Sequence, residues 1–557
     1  MESRIWHQHY PAGVPTDINP DSYPSILQAF EDSCALYGDK VAFENMGVQL
    51  TFNQLRQRSH NFAAWLQKNT DLKPGDRIAL QMPNLLQYPI CIYGSFIAGL
   101  VVVNVNPLYT AREMEHQLND SGAKAIVIVA NFCHELQQCL PKTGLKHVIV
   151  TRIPDLFPQP KQFIVNMVLQ YVKKMVPAYS LPNTIDFREL TKDHGLKPKL
   201  AVLKNTDTAF LQYTGGTTGV SKGAVLTHRN VIANMEQMKA WMGNSLVQGE
   251  EIIITPLPMY HIFSLTVNCM AFICLGGKNV LVTNPRDIPA FIKELRKHRW
   301  TVMTGVNTLF NALLNTEEFK TLDFTPVKAV IGGAMAIQKP VAQKWKEVTG
   351  STLVEGYGLT ESSPVASANP LDGSARIGTI GVPVPGTDMK LTDENGKEVP
   401  IGERGEILIK GPQVMQGYYN RPEETENQIK DGWLRTGDVA VMAEDGYFTI
   451  VDRIKDMILV SGFNVYPNEV EEVIASHPKV LEVAAIGVPD EKSNEAVKVF
   501  VVKKDASLTE KEIKDYCAEN LTGYKRPKHV AFRDELPKTN VGKILRRALR
   551  EEEAAKG

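Results

Sequence analysis

Apolar positions in the first 150 residues fall into short runs separated by segments of helical period. Residues 77–81, 100–104 and 125–129 have apolar centres without alternation, the pattern of strands covered on both faces. Residues 25–36, 51–66, 90–99 and 110–121 read as helices. Thr51 followed by Gln54 forms a helix-start pair. Strand alternating with helix predicts α/β layers around a parallel sheet. The alternation resumes from residue 207 to about 378, with strands at 252–255, 280–283 and 302–305 and helices at 288–298 and 308–314. Past Gly378, glycines and prolines punctuate short alternating runs such as 406–410. That texture predicts a small antiparallel sheet or β-barrel-like subdomain over about 378–451. The remainder, 458–557, has an α+β pattern, with helices at 468–476 and 510–520 and strands at 483–488 and 497–503. The expected organisation is one large N-terminal part, 1–451, and a small C-terminal domain.

One segment departs from this scheme. Residues 162–176 carry apolar side chains on a helical stripe, with Lys161, Lys173 and Lys174 beside it and Pro177 after it. Two readings stand: a helix packed on the core, or a basic amphipathic helix lying on a membrane surface.

Composition narrows the class. The chain has 557 residues, 43% hydrophobic and 22% charged, with a formal net charge of −1. Those values fit a soluble globular protein and supply no general attraction to nucleic acid. Seven cysteines, with no C-x-x-C pair, argue against a disulfide framework or a zinc site. Residues 1–20 lack an apolar signal core, and the apolar runs at 90–103 and 262–275 fall short of the roughly 20 residues that span a bilayer. The expected location is cytoplasmic.

The chemistry starts at 213–223, Tyr213-Thr214-Gly215-Gly216-Thr217-Thr218-Gly219-Val220-Ser221-Lys222-Gly223. Little side-chain bulk lets backbone N–H groups approach an anion, and Lys222 adds a point charge. The order is neither G-x-x-x-x-G-K-[ST] nor G-x-G-x-x-G. A phosphate cradle is expected; a plain surface turn is the alternative. Three further stretches stand out. Gly356-Tyr357-Gly358-Leu359-Thr360-Glu361-Ser362 presents an aromatic face for a base and a carboxylate suited to Mg²⁺, or is a turn with a solvent-facing glutamate. Asp438, after Gly437, is placed to accept from ribose hydroxyls, or caps a turn. Lys543 follows a Gly turn and precedes an Arg-rich helix at 544–550; the lysine is expected to reach a cleft and the arginines to form a solvated face.

Taken together, these stretches resemble the acyl-adenylate-forming superfamily of acyl-CoA synthetases, luciferases and peptide-synthetase adenylation domains. The resemblance rests on residues 213–223, Gly356-Tyr-Gly-Leu-Thr-Glu361, Trp433-Leu-Arg-Thr-Gly-Asp438, Asp452-Arg453 and the Pro537-Lys-Thr…Gly-Lys543 ending, in that order. It covers nearly the whole chain. Asn106-Pro-Leu-Tyr-Thr, Pro256-Leu-Pro-Met-Tyr-His-Ile-Phe263 and Val460-Ser-Gly-Phe-Asn-Val-Tyr-Pro-Asn-Glu469 resemble those of bacterial long-chain fatty-acid–CoA ligases.

The resemblance implies an acid–thiol ligase with ATP and CoA as co-substrates, Mg²⁺ as cofactor and a fatty acid as acyl donor. It implies an adenylation domain over 1–451, a hinge at 452–457 centred on Lys455, and a mobile C-terminal domain over 458–557. By the same resemblance, Thr214, Gly215, Gly216, Thr217, Thr218, Gly219 and Lys222 cradle the phosphates. Tyr357 stacks near adenine, Gly332, Gly333 and Ala334 line the base, and Gly358 belongs to the same nucleotide site. Asp438 and Arg453 hold the ribose. Glu361, with Thr214, holds the metal, and Thr360 lies near the α-phosphate. Lys543 serves adenylation, while His261 and Gly462 border the acyl pocket and the CoA channel; a structural role is the alternative for His261. Some short-chain members carry arginine where Asn464 stands, so no phosphate contact transfers there.

Ile262-Phe263-Ser264-Leu265 contains no acid, so an amine-bearing substrate would bury an unpaired charge. A plain carboxylic acid is expected, with room for its chain at Gly332, Gly333, Ala334 and Ala336. A medium-chain or aryl acid–CoA ligase is the alternative in the same class. A non-catalytic lipid-binding protein on this scaffold is the alternative in another. Nucleic acid is not an expected partner; peripheral contact with the inner face of the membrane and a homodimer are left open.

Overall fold

The computed structural model describes residues 4–214, 221–243, 245–490, 492–539 and 541–556. Two large sheets carry the N-terminal part. The first has eight strands in the order Gly417–Tyr418, Lys222–Thr227, Thr208–Thr214, Val101–Asn104, Arg77–Gln81, Ala123–Val129, His147–Thr151 and Ile185–Asp186. The second has nine, running from Val382–Pro383 through Leu353–Gly358, Ala329–Gly332 and Val302–Gly305 to the hairpin of Val41–Asn45 and Val48–Thr51. Both are parallel at their centres and antiparallel at one or both ends. The apolar runs account for this: Val101–Asn104 and all but one residue of Ala123–Val129 are buried, as strands covered on both faces must be. The helix Gln87–Ile97 is buried along its whole length. Thr51 with Gln54 and Thr110 with Glu113 form the capping boxes that start Phe52–Asn69 and Ala111–Ser121.

A separate antiparallel sheet of Asp388–Thr392, Arg404–Lys410, Ile429–Lys430, Trp433–Met442 and Phe448–Arg453 follows. The last sheet gathers Phe463–Val465, Ile458–Val460, Asn494–Lys503, Val480–Asp490 and His529–Arg533, with the helices Pro467–Ala475, Glu510–Asn520 and Arg546–Ala554 nearby in the sequence. It has its own apolar core around Val470, Ile474, Val499 and Ile513. All seven cysteines are free.

Two expectations are corrected. Residues 162–176 do not pack their stripe on the core. Lys161–Met167 is α-helical, Val168–Val172 is a π-turn, and Phe163, Tyr171 and Val172 are 63%, 62% and 75% exposed. The segment is held by polar contacts at its ends instead. Gln162 donates to the Asp155 carbonyl at 3.1 Å, and Asn131 donates to the Met175 carbonyl at 2.9 Å. The stripe therefore points away from the core. Nor do all the arginines of the C-terminal helix form a solvated face. The Arg546 guanidinium lies among Glu471 at 2.7 Å, Asp452 at 3.2 Å and Asp456 at 3.4 Å. Three acids brought together by the fold outweigh its preference for water. Among the described residues, no helix is long and apolar enough to cross a membrane.

Candidate active site

A cavity of about 1030 Å³ opens where the two large sheets, the antiparallel sheet and the C-terminal domain meet. It stands at the upper end of the usual size for small-molecule sites, about 300–1,000 Å³. Part of its lining is polar and charged. Apolar residues also line it: Met238, Trp241 and Met242 at the end of the helix His228–Met242, with Phe263, Val267 and Leu371.

The phosphate-cradle stretch closes the hairpin of Thr208–Thr214 and Lys222–Thr227, whose last pair is Thr214 opposite Lys222. Gly215, Gly216, Thr217, Thr218 and Gly219 lie outside the described residues. Thr214 and Lys222 line the cavity. The Tyr213 hydroxyl donates to Asp120 at 2.7 Å, and Arg421 pairs with the other Asp120 oxygen at 2.9 Å. The hairpin stem is thereby tied to the residues after Gly417–Tyr418.

Tyr357 and Gly358 end the strand Leu353–Gly358, and Thr360 and Glu361 sit on the turn after it; all four line the cavity. A Cβ on Gly358 would stand 1.7 Å from the Pro364 carbonyl oxygen, so only glycine fits there. The Tyr357 hydroxyl donates to Asp438 at 2.7 Å. Asp438 faces Arg453 across the strands Trp433–Met442 and Phe448–Arg453, and the guanidinium meets its other oxygen at 2.9 Å. Both Asp438 oxygens are thus occupied; the residue is 3% exposed and backs the cavity wall without lining it. Burial, with Asp438 alongside, pushes the Tyr357 phenol well above its ordinary range, and Asp438 raises Arg453. Gly333 and Ala334 line the cavity, with Ala334 at φ 64°. Gly332 does not: a Cβ there would meet Ile337 at 2.7 Å.

The C-terminal domain is docked so that Lys543 enters this cavity beside His261. Thr308 donates to the Gly542 carbonyl at 2.9 Å, Asn311 donates to the Leu481 carbonyl at 2.8 Å, and Lys339 pairs with Glu472 at 2.9 Å. Burial pushes Lys543 down to about 7, helped by the positive charge of Arg453, with Lys455 and Arg546 adding to it. Lys455 also lines the cavity and falls to about 8 through burial and Arg453. His261 falls to about 4 through burial and Lys543, so it is neutral at pH 7. Glu355, which also lines the cavity, is pushed up to about 8 by burial. Arg453, Lys455 and Lys543 come together in this cavity, where a bound anion would relieve their mutual repulsion and restore the charge of both lysines. Gly462 lies away from this cavity, on the hairpin of Ile458–Val460 and Phe463–Val465 at φ 83°.

Glu361 has the donor chemistry for a hard cation. It is 9% exposed, and its Oε1 accepts from the Tyr418 hydroxyl at 2.7 Å. Among the described residues it has neither an ion pair nor a second hydrogen bond to its side chain. A carboxylate oxygen with a threonine hydroxyl nearby is the oxygen-only set that Mg²⁺ prefers. Sequence reasoning missed Tyr418, Glu355 and the Met238–Trp241–Met242 wall. The last had a signal, since those positions share one helix face; the first two had none.

The chain belongs to the AMP-binding enzymes. The family model described as AMP-binding enzyme matches residues 30–419, and that of the AMP-binding enzyme C-terminal domain matches 469–543. The chain is 57% identical over 557 residues to a long-chain-fatty-acid–CoA ligase of Escherichia coli O6:H1, covering 99% of each. Among solved structures it resembles the anthranilate CoA ligase AuaEII in complex with anthranoyl-AMP (TM-score 0.86, 24% identity, 97% of this chain and 100% of that one). It also resembles ATP-bound MatB from Rhodopseudomonas palustris (TM-score 0.77, 28% identity, 94% and 98%).

Proposed function

We infer that this protein is an ATP-dependent long-chain fatty-acid–CoA ligase. The observation that carries the reading is the full-length 57% identity to such a ligase, joined to a cavity lined by both cationic and apolar residues. ATP and CoA are its co-substrates. A carboxylate is a poor acyl donor because its leaving group would be oxide. One carboxylate oxygen therefore attacks the α-phosphorus of ATP, the bond to the bridging oxygen breaks, and pyrophosphate leaves. The CoA thiol then attacks the acyl carbonyl, loses its proton, and AMP departs with the anhydride oxygen.

In this reading Lys222 and the residues of the glycine-rich turn hold the departing pyrophosphate. Tyr357 faces the adenine, and Arg453 with Asp438 holds the ribose, which exchanges with the Tyr357 and Arg453 contacts now filling the Asp438 oxygens. Lys543 and Thr360 serve the α-phosphate and the incoming carboxylate, where charge develops in the transition state. Glu361 and Thr214 would hold Mg²⁺, which when bound neutralises charge on the phosphate oxygens. His261, neutral at pH 7, borders the path of the thiol and lends no charge to it. Rotation about Lys455 withdraws Lys543 after adenylation and brings Gly462 toward the CoA channel. The exposed stripe at 163–175, flanked by Lys161, Lys173 and Lys174, supports peripheral contact with an anionic bilayer, from which a long-chain acid would come.

The test is pyrophosphate release and CoA thioester formation over acetate, benzoate, octanoate, palmitate and oleate. Palmitate and oleate are expected to give the highest kcat/KM. Preference for benzoate with negligible turnover of palmitate overturns the substrate class, and absence of pyrophosphate with every acid overturns the ligase reading.

A further inference from the structure

Tyr418 belongs to none of the motifs above, yet it touches two of the residues they supply. It sits on the two-residue strand Gly417–Tyr418, which pairs antiparallel with Lys222–Thr227 so that Tyr418 lies opposite Ala224. The Gln416 and Tyr419 N–H groups extend the pairing to the Val225 and Gly223 carbonyls at 3.0 and 2.8 Å. The Tyr418 N–H is fixed in turn by the Thr425 hydroxyl at 2.8 Å. Side chains two positions apart leave the same face of a strand. Lys222 is two positions from Ala224, so it is the diagonal neighbour of Tyr418 on that face. Its ammonium stands 5.3 Å from the centre of the Tyr418 ring and 3.6 Å from Glu424, within the reach of cation–π attraction. At the far end of the same side chain, the hydroxyl donates to Glu361 Oε1 at 2.7 Å. The Glu361 carbonyl accepts from the Met415 N–H at 2.8 Å, which holds the glutamate to the same segment.

We propose that Tyr418 is a positioning residue for the adenylation step: its hydroxyl fixes the Glu361 carboxylate for the divalent cation, and its ring seats Lys222 for the pyrophosphate. The proposal rests on the ligase reading above. The chemistry favours a phenol in this place. A hydroxyl gives one hydrogen bond to one carboxylate oxygen and leaves Glu361 its charge and its second oxygen, whereas a lysine or arginine would neutralise the carboxylate and compete with the cation. The ring face attracts the ammonium without adding a further ion pair to the one Lys222 makes with Glu424, which the phosphates would displace.

Two variants separate the two contacts. Tyr418→Phe keeps the ring and removes the hydroxyl; Tyr418→Leu removes both. Binding of ATP is measured by calorimetry in excess Mg²⁺ and in EDTA, alongside thioester formation from supplied oleoyl-AMP and CoA. A hydrogen bond to a charged group corresponds to roughly tenfold or more in affinity. For Tyr418→Phe, Mg·ATP affinity is therefore expected to fall about tenfold or more, with ATP affinity in EDTA and the thioester step unchanged. For Tyr418→Leu, ATP affinity in EDTA is expected to fall as well, by a few-fold to about tenfold. Wild-type Mg·ATP affinity in Tyr418→Phe, or an equal loss with and without Mg²⁺, overturns the role of the hydroxyl. Unchanged EDTA affinity in Tyr418→Leu overturns the role of the ring. If the wild-type protein itself neither binds ATP nor makes oleoyl-CoA, it is the ligase reading that fails.

Discussion

Lys543 should make docking of the C-terminal domain depend on pH when the nucleotide site is empty. A lysine in water titrates near 10.5; buried beside Arg453, Lys455 and Arg546, this one titrates at about 7. The fall means that seating it without an anion costs up to about 4 kcal/mol at pH 7, a ceiling because part of the side chain faces the open cavity. The sign follows from the direction of the shift. Below about pH 7 the lysine stays charged in both orientations and the cost is fully present. Between about 7 and 10.5 the seated lysine is neutral while the withdrawn one is charged, so the cost shrinks as pH rises. Without nucleotide, the docked orientation should therefore gain population from pH 6.5 to 9. Mg·ATP brings negative charge to the lysine, restores its basicity and should make docking insensitive to pH over that range. The assay is energy transfer between dyes on cysteines introduced at the exposed positions Val202 and Lys511. Lys543→Ala should weaken the pH response, leaving the smaller part that Lys455 contributes as it titrates at about 8. A nucleotide-free protein with no response, or a Lys543→Ala variant with the wild-type response, refutes the reasoning.

Asp452 accepts from the Asn468 N–H at 2.7 Å and pairs with Arg546 at 3.2 Å, contacts that tie the proposed hinge to the C-terminal domain in the docked orientation. Asp452→Asn should lower oleate-dependent pyrophosphate exchange about tenfold or more and spare thioester formation from supplied oleoyl-AMP; equal loss in both assays counts against that assignment. A Phe163→Asp, Tyr171→Asp double variant should lose sedimentation with phosphatidylglycerol vesicles while adenylating octanoate at the wild-type rate. Undiminished sedimentation removes the stripe as the membrane contact.

What the sequence revealed depended on how local the cause was. Helix starts such as Thr51 with Gln54 are settled within four residues, and 510–520 has the bounds its own pattern predicts. The unbroken apolar strands announced a parallel sheet because burial on both faces leaves no polar position. The stripe at 162–176 showed that one face is apolar but not what covers it; the Gln162 and Asn131 anchors that turn it outward come from tertiary contacts. Arg546 was misread for the same reason, since its three acids come from separate elements. Tyr418 left no mark because its meaning lies in its register against Lys222–Thr227, a partner distant in the chain. Tyr357, Thr360, Glu361, Arg453 and Lys543, named from the family's motifs, meet at one cavity, whereas the apolar wall carries no motif at all.

That wall has a consequence for how such an enzyme diversifies. Met238, Trp241 and Met242 occupy one face of the final turns of a single helix, while Lys222, Glu361, Arg453 and Lys543 come from other parts of the chain. Under the ligase reading, substitutions along that helix face would reshape the space for the acyl chain without touching the residues assigned to ATP. On that reading one acid could be exchanged for another on one surface while the chemistry on the other is kept.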